Sequence, residues 1–82
     1  MDVDIIKNIL LEHARLDADV LALDLESDLY EAGLSSLTTV NLMLAIEEKF
    51  DIEFSEKLLT RKTFQSIGSL VQAISISKNL IQ

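Results

Sequence analysis

The chain reads as an all-α bundle with three main amphipathic helices, one short third helix and a long first loop. Three observations lead there. Apolar residues recur at helical spacing in three stretches. Serines stand where the second and last of those stretches begin. No proline interrupts the chain anywhere. A length of 82 residues is enough for one domain and not two, so residues 1–82 are read as a single unit. Apolar residues make up 49% of it, which supports a small core without a staple.

The first helix is expected over residues 3–15. Val3, Ile6, Ile9, Leu10 and Ala14 form its stripe. Asp2 or Asp4 suits the positive end of its dipole, and Arg15 the negative end. His13 lies at the edge of the stripe. It is the only histidine and lacks a ligand pattern around it, so it makes a poor metal site.

Residues 16–35 form an unusually long connection for so small a chain, which implies packing or function. Its leucines suggest packing across the helix ends. Asp17, Asp19, Asp24, Glu26, Asp28 and Glu31 make it acidic, yet they lack the order and the glycine of a calcium loop. Gly33, one of only two glycines, supplies a flexible point before the next helix.

That helix is predicted from about Leu37 to Phe50, with Ser35 or Ser36 as its N-cap. Leu42, Met43, Ile46 and Phe50, led by Thr39, form a stripe that faces the core. Leu37, Val40 and Leu44 form a second stripe on the other side, shared with Asn41, Glu47 and Glu48. If the first stripe is buried, the second faces water as a narrow apolar strip rimmed by acid, and such strips mark docking surfaces. Ser36 stands at the head of that strip. A phosphate on a hydroxyl at this helix head, that of Ser35 or of Ser36, would meet free N–H donors and the favourable end of the dipole.

Beyond Phe50, Asp51–Phe54 is expected to be short and extended. Ser55 can cap a brief third helix to about Thr60, with Leu58 and Leu59 turned inward and Arg61 and Lys62 at its negative end. Ser66 heads the last helix. Its stripe is Ile67, Leu70, Val71 and Ile74, with Ile81 as an extension.

Charge and composition exclude several functions. The net charge of −7, from 14 acids against 7 bases, argues against nucleic acid and favours basic partners. With no cysteine there is no disulfide, thiolate nucleophile or thiolate metal site. No apolar run approaches membrane-spanning length, and an acidic start where a signal peptide would be basic points to the cytoplasm. No G-x-S-x-G elbow supports a serine hydrolase, so no residue is read as catalytic and none as metal-binding.

Asp28-Leu29, then Gly33-Leu34-Ser35-Ser36-Leu37, then Ala45-Ile46-Glu47-Glu48-Lys49-Phe50 resemble the acyl carrier proteins, over nearly the whole chain. That resemblance implies a four-helix acyl-carrier-like bundle. It also implies that Ser36 carries a covalent 4′-phosphopantetheine arm derived from coenzyme A. Ser35 stands where the family usually has aspartate, and the spacing from Gly33 and to Leu37 selects Ser36 for the arm. In such a carrier an acyl group rides the arm as a thioester, and the protein performs no bond chemistry of its own.

The implied partners are a phosphopantetheinyl transferase, an acyl- or aminoacyl-loading ligase and downstream acyl-transferring enzymes. They would meet a monomeric carrier at Leu37, Val40, Asn41, Leu44, Glu47 and Glu48. Ser35, Thr38 and Asn41 occupy places where fatty-acid carriers often have acids, and Lys49 interrupts an acidic run. These departures imply a specialised carrier of lipid or secondary-metabolite synthesis. Leu59–Ile67, with Gly-Leu-Ser-Ser, is similar to the small bacterial carriers loaded with amino acids by synthetase-like ligases. The competing class is an unmodified acidic adaptor that binds a partner through the same strip.

Overall fold

The described residues form three α-helices joined by loops that are packed along much of their length. The computed structural model describes residues 2–14, 16 and 19–81, the last three of these by their backbone alone. The helices are α1 (Asp2–His13), α2 (Ser36–Phe50) and α3 (Ile67–Ile81). Single 3₁₀ turns stand in the loops at Val20–Ala22 and Glu56–Leu58. No strand occurs among the described residues.

The core is where the stripes of all three helices meet. Ile6 and Leu10 of α1, Leu42 and Ile46 of α2, and Ile67, Leu70 and Ile74 of α3 are completely buried. Burial of each such side chain is worth about 1.5–3 kcal/mol before entropy is counted, which is what holds helices this short in place. Met43 and Phe50 are half-buried at the edge of the α2 stripe. α1 ends two residues earlier than expected, although Ala14 stays buried and its N–H still reaches Leu10 O at 3.0 Å. The role expected of Arg15 lies outside the described residues, as does the side chain of Ile81.

The long first loop packs as anticipated. Val20, Leu29 and Leu34 enter the core, while Leu21 and Leu25 remain exposed. Leu29 N–H donates to Gln65 O at 2.7 Å and Gly68 N–H to Leu25 O at 2.9 Å, tying the loop to the approach and start of α3. A side chain at position 68 would press a β-carbon to 3.0 Å from that same carbonyl, so any other residue there would push the loop back by a few tenths of an ångström.

The brief third helix differs from expectation. It is one 3₁₀ turn of three residues, and Ser55 makes no side-chain cap. Leu58 is half-buried, but Leu59 is 45% exposed instead of turned inward. A single tight turn rotates successive side chains by about 120°, so it cannot aim two adjacent leucines at one core. Residue 51 also departs from a simple extended reading. Asp51 closes α2 in the left-handed conformation, at φ 53°, with its N–H on Glu47 O. Aspartate is among the few non-glycine residues that tolerate this. Ile52 and Phe54 then turn back into the core, where Phe54 meets Phe64 edge-on with ring centroids 5.9 Å apart.

Candidate functional site: the head of the second helix

The site begins with a turn. Gly33 has φ 115°, a conformation L side chains rarely adopt, and it closes the turn that brings Leu34 N–H back to Leu29 O, with both leucines buried, just before the exposed head of α2. Ser35 follows as the N-cap. Its Oγ accepts from Thr38 N–H at 3.2 Å, while Ser35 N–H donates to Thr38 Oγ1 at 2.9 Å. Thr38 thus occupies the place that glutamate or glutamine fills in the usual capping box. Thr39 adds a bond from its hydroxyl to Ser35 O at 2.6 Å.

The choice left open between two capping serines is therefore decided. Ser35 caps the helix, and Ser36 is its first residue, exposed and free of that duty. Among the described residues, no acceptor takes the N–H of Ser36 or of Leu37. The Ser36 hydroxyl thus stands beside two open donors at the positive end of a helix of 15 residues.

The second stripe faces solvent, as its spacing implied. Leu37 is 73% exposed, Val40 50% and Leu44 53%. Asn41 and Glu48 are exposed beside them. Glu47 also lies on this side of α2, but it is half-buried and its carboxylate is engaged: Oε2 accepts from Phe54 N–H at 2.9 Å. That bond satisfies a donor left over where the chain turns inward after α2.

A shallow cavity of about 340 Å³ opens beside Ser36. Tyr30, Val40, Met43, Leu59, Arg61 and Phe64 contribute to its walls. Of this lining, the sequence reading singles out Ser36 and Val40, for other reasons, and does not anticipate the rest. The Arg61 guanidinium does not serve the end of the 3₁₀ turn. It lies over the Tyr30 ring, 3.9 Å from the centroid. No local signal joins these two residues, because the packing of the first loop on the approach to α3 brings them together. A wider groove of about 620 Å³ runs between α1 and α2, past Glu12, His13, Asn41 and Leu44. His13 Nε2 stands 3.6 Å from Glu12 on its rim, and both side chains are well exposed. Among the described residues no cluster of metal-ligand side chains occurs, and no helix is long and apolar enough to cross a membrane.

Comparison with known proteins places this geometry. A family model described as the phosphopantetheine attachment site matches residues 4–74. An aminoacyl carrier protein of Agrobacterium fabrum is 46% identical over 71 residues, covering 87% of this chain and 86% of the relative. The fold is similar to the carrier protein from Agrobacterium tumefaciens in a crystal structure with an engineered Bradyrhizobium japonicum glycine:carrier protein ligase and ATP. There the TM-score is 0.88 at 43% identity, covering 93% of this chain and 99% of the other. It is also similar to the carrier in a Bradyrhizobium japonicum glycine:carrier protein ligase complex with glycylated carrier protein. In that case the TM-score is 0.73 at 34% identity, with coverage of 88% and 96%.

Proposed function

This chain belongs to the family of carrier proteins with a phosphopantetheine attachment site, and we propose that Ser36 is the residue that bears the arm and that the cargo is an amino acid. One observation carries the assignment of the serine. Of the two adjacent hydroxyls, Ser35 is held in the helix cap, whereas Ser36 is exposed at the first helical position. A transferase can reach the second without unmaking the helix.

The residues present fit a 4′-phosphopantetheine group. Ser36 offers the hydroxyl for a phosphodiester. The open N–H groups of Ser36 and Leu37 suit the anion. Val40, Met43 and Leu59 offer apolar wall to a flexible arm. When bound, the group supplies a terminal thiol that holds the cargo as a thioester. The chain's own residues anchor, orient and present; they do no bond chemistry. That division of labour suits a protein without cysteine.

Leu37, Val40 and Leu44, with Asn41 and Glu48, form the docking face for a phosphopantetheinyl transferase, a synthetase-like aminoacyl ligase and a downstream transfer enzyme. Exposed leucine and valine on an acidic rim suit partners with an apolar pocket bordered by lysine or arginine. Glu47 joins this rim with a carboxylate that already serves Phe54. The similarity to carriers seen with glycine ligases supports an amino acid as the cargo over a fatty acyl chain. Residues 1–82 act as one carrier domain, and the absence of cysteine suits the reducing cytoplasm.

Incubation with coenzyme A and a phosphopantetheinyl transferase, followed by intact mass, tests the assignment. A single phosphopantetheine increment is expected on the wild type and none on Ser36→Ala. An increment that persists in Ser36→Ala, or none on the folded wild type, overturns it and leaves the unmodified adaptor. Loading of the holo protein by an aminoacyl ligase, but not by a fatty-acyl ligase, tests the cargo.

A further inference from the structure

Arg61 is the only charged side chain among the described residues that line the cavity beside Ser36. Among the described residues no carboxylate pairs with it, although the chain carries 14 acids. Its partner is the Tyr30 ring. A guanidinium stacked on a ring spends its flat face, while its five N–H donors lie in the plane and stay available at the edge. At an exposed site such stacking is weak beside a charge-assisted, two-point contact with an anion.

The backbones on both sides are pinned. Tyr30 N–H donates to Asp28 Oδ1 at 2.9 Å, and Asp28 Oδ2 accepts from Gln65 Nε2 at 3.4 Å. Leu29 N–H reaches Gln65 O, and Phe64 N–H returns to Arg61 O at 3.2 Å. The arginine side chain itself has the Tyr30 ring as its contact and lines the same cavity as Ser36.

We propose that Arg61 is a positioning residue for the phosphate attached to Ser36. It leaves the Tyr30 face when the arm is in place, bonds the phosphate oxygens through the guanidinium edge, and so lays the first part of the arm along Val40, Met43 and Leu59. Tyr30 is the resting place that keeps the guanidinium at the cavity in the unloaded protein. This assignment rests on Ser36 as the attachment residue.

The test compares apo and holo protein by NMR, with the mass recorded for each sample. Loading is expected to shift the Arg61 Nε–Hε signal and the Tyr30 ring signals. The ³¹P signal of the arm is expected to differ between holo wild type and holo Arg61→Gln. A spin label on the arm's thiol is expected to broaden the amides of Leu59, Thr60 and Phe64 in the wild type, with that broadening lost in Arg61→Gln and partly restored in Arg61→Lys. A folded protein whose mass does not change overturns both this assignment and the attachment site. A loaded protein whose Arg61 and Tyr30 signals stay put overturns the role of Arg61 alone. So does an Arg61 signal that moves only when a ligase is added, since that places the guanidinium on the partner instead.

Discussion

Ser35 and Thr38 bind each other reciprocally at the head of α2, each backbone N–H donating to the other's hydroxyl, at 2.9 and 3.2 Å. The neighbouring hydroxyl of Ser36 is thereby released from structural work. The pair of adjacent serines divides into one that holds the helix and one left exposed at its first turn, the hydroxyl proposed above to take the arm.

The two serines should therefore fail in opposite ways. Ser35→Ala removes a cap and is expected to cost about 0.5–2 kcal/mol, while the phosphopantetheine increment is kept. Ser36→Ala is expected to leave the thermal midpoint near that of wild type and to abolish the increment. Thermal melts and intact mass on the same two samples check both halves.

Val40 should report on what the surface contacts and not on the fold. It is 50% exposed on the outer face of α2, so Val40→Asp is expected to leave helix content and melting unchanged. If the strip seats a ligase, truncating or charging an anchor costs about 1–2 kcal/mol, roughly a five- to thirtyfold fall in kcat/KM for loading. Circular dichroism and loading kinetics together separate docking from folding.

Glu47 and Glu48 are neighbours on α2 with different work. The Glu47 carboxylate accepts from Phe54 N–H, and a hydrogen bond to a charged group is worth about 1.5–3 kcal/mol. Glu47→Ala is expected to lower the unfolding free energy, read from denaturant melts, by about 1.5–3 kcal/mol. Glu48→Ala is expected to leave the midpoint in place and to weaken the salt dependence of ligase association.

Core positions rank by burial. Ile46 is completely buried, and Ile46→Ala is expected to cost about 2–5 kcal/mol. Phe50 is half-buried under the Lys78 ammonium, 5.1 Å from its ring centroid, and Phe50→Ala is expected to cost less than Ile46→Ala. Equilibrium denaturation of the two variants gives the order.

The Asp24 carboxyl is held below the ordinary value of 3.8, first by the Glu26 N–H and then by the hydroxyl and N–H of Ser27. A depressed carboxylate contributes stability that is complete above its unfolded pKa and disappears as the pH falls through the folded one. The turn at 24–27 is thus expected to keep its amide protection at pH 5 and to lose it below the ordinary carboxylate range, earlier than the core. Hydrogen exchange of the Glu26 and Ser27 amides as the pH is lowered checks the sign, and Asp24→Asn is expected to remove the dependence.

How far the site could be read in advance depended on the range of the interactions that build it. The two faces of α2 were legible because the helical period is a local property. Leu42 and Ile46 had to share a side, with Leu37, Val40 and Leu44 opposite. The motif from Gly33 to Leu37 was legible for the same reason, as a turn, a cap and a helix start in adjacent residues. The 3₁₀ turn at 56–58 was misjudged because a single turn carries too little periodicity to reveal which of two leucines is buried. The left-handed Asp51 was missed because aspartate adopts that conformation only when the following residues, here Ile52 and Phe54, have a core to enter.

By itself, then, the sequence determined the all-helical class, the order of the helices, the face each buries and Ser36 as the candidate attachment point. The class, the order and the buried faces follow from spacing within one element, and Ser36 from the resemblance of the Gly33–Leu37 motif to the carrier family. Only the tertiary structure decided which of the two serines caps the helix, that Glu47 serves Phe54, and that Arg61 rests on Tyr30 beside Ser36. The cap turns on which hydroxyl meets Thr38, and the Glu47 bond on the turn that follows α2; the meeting of Arg61 and Tyr30 depends on the first loop packing over the approach to α3, a long-range contact written in no single stretch of the chain.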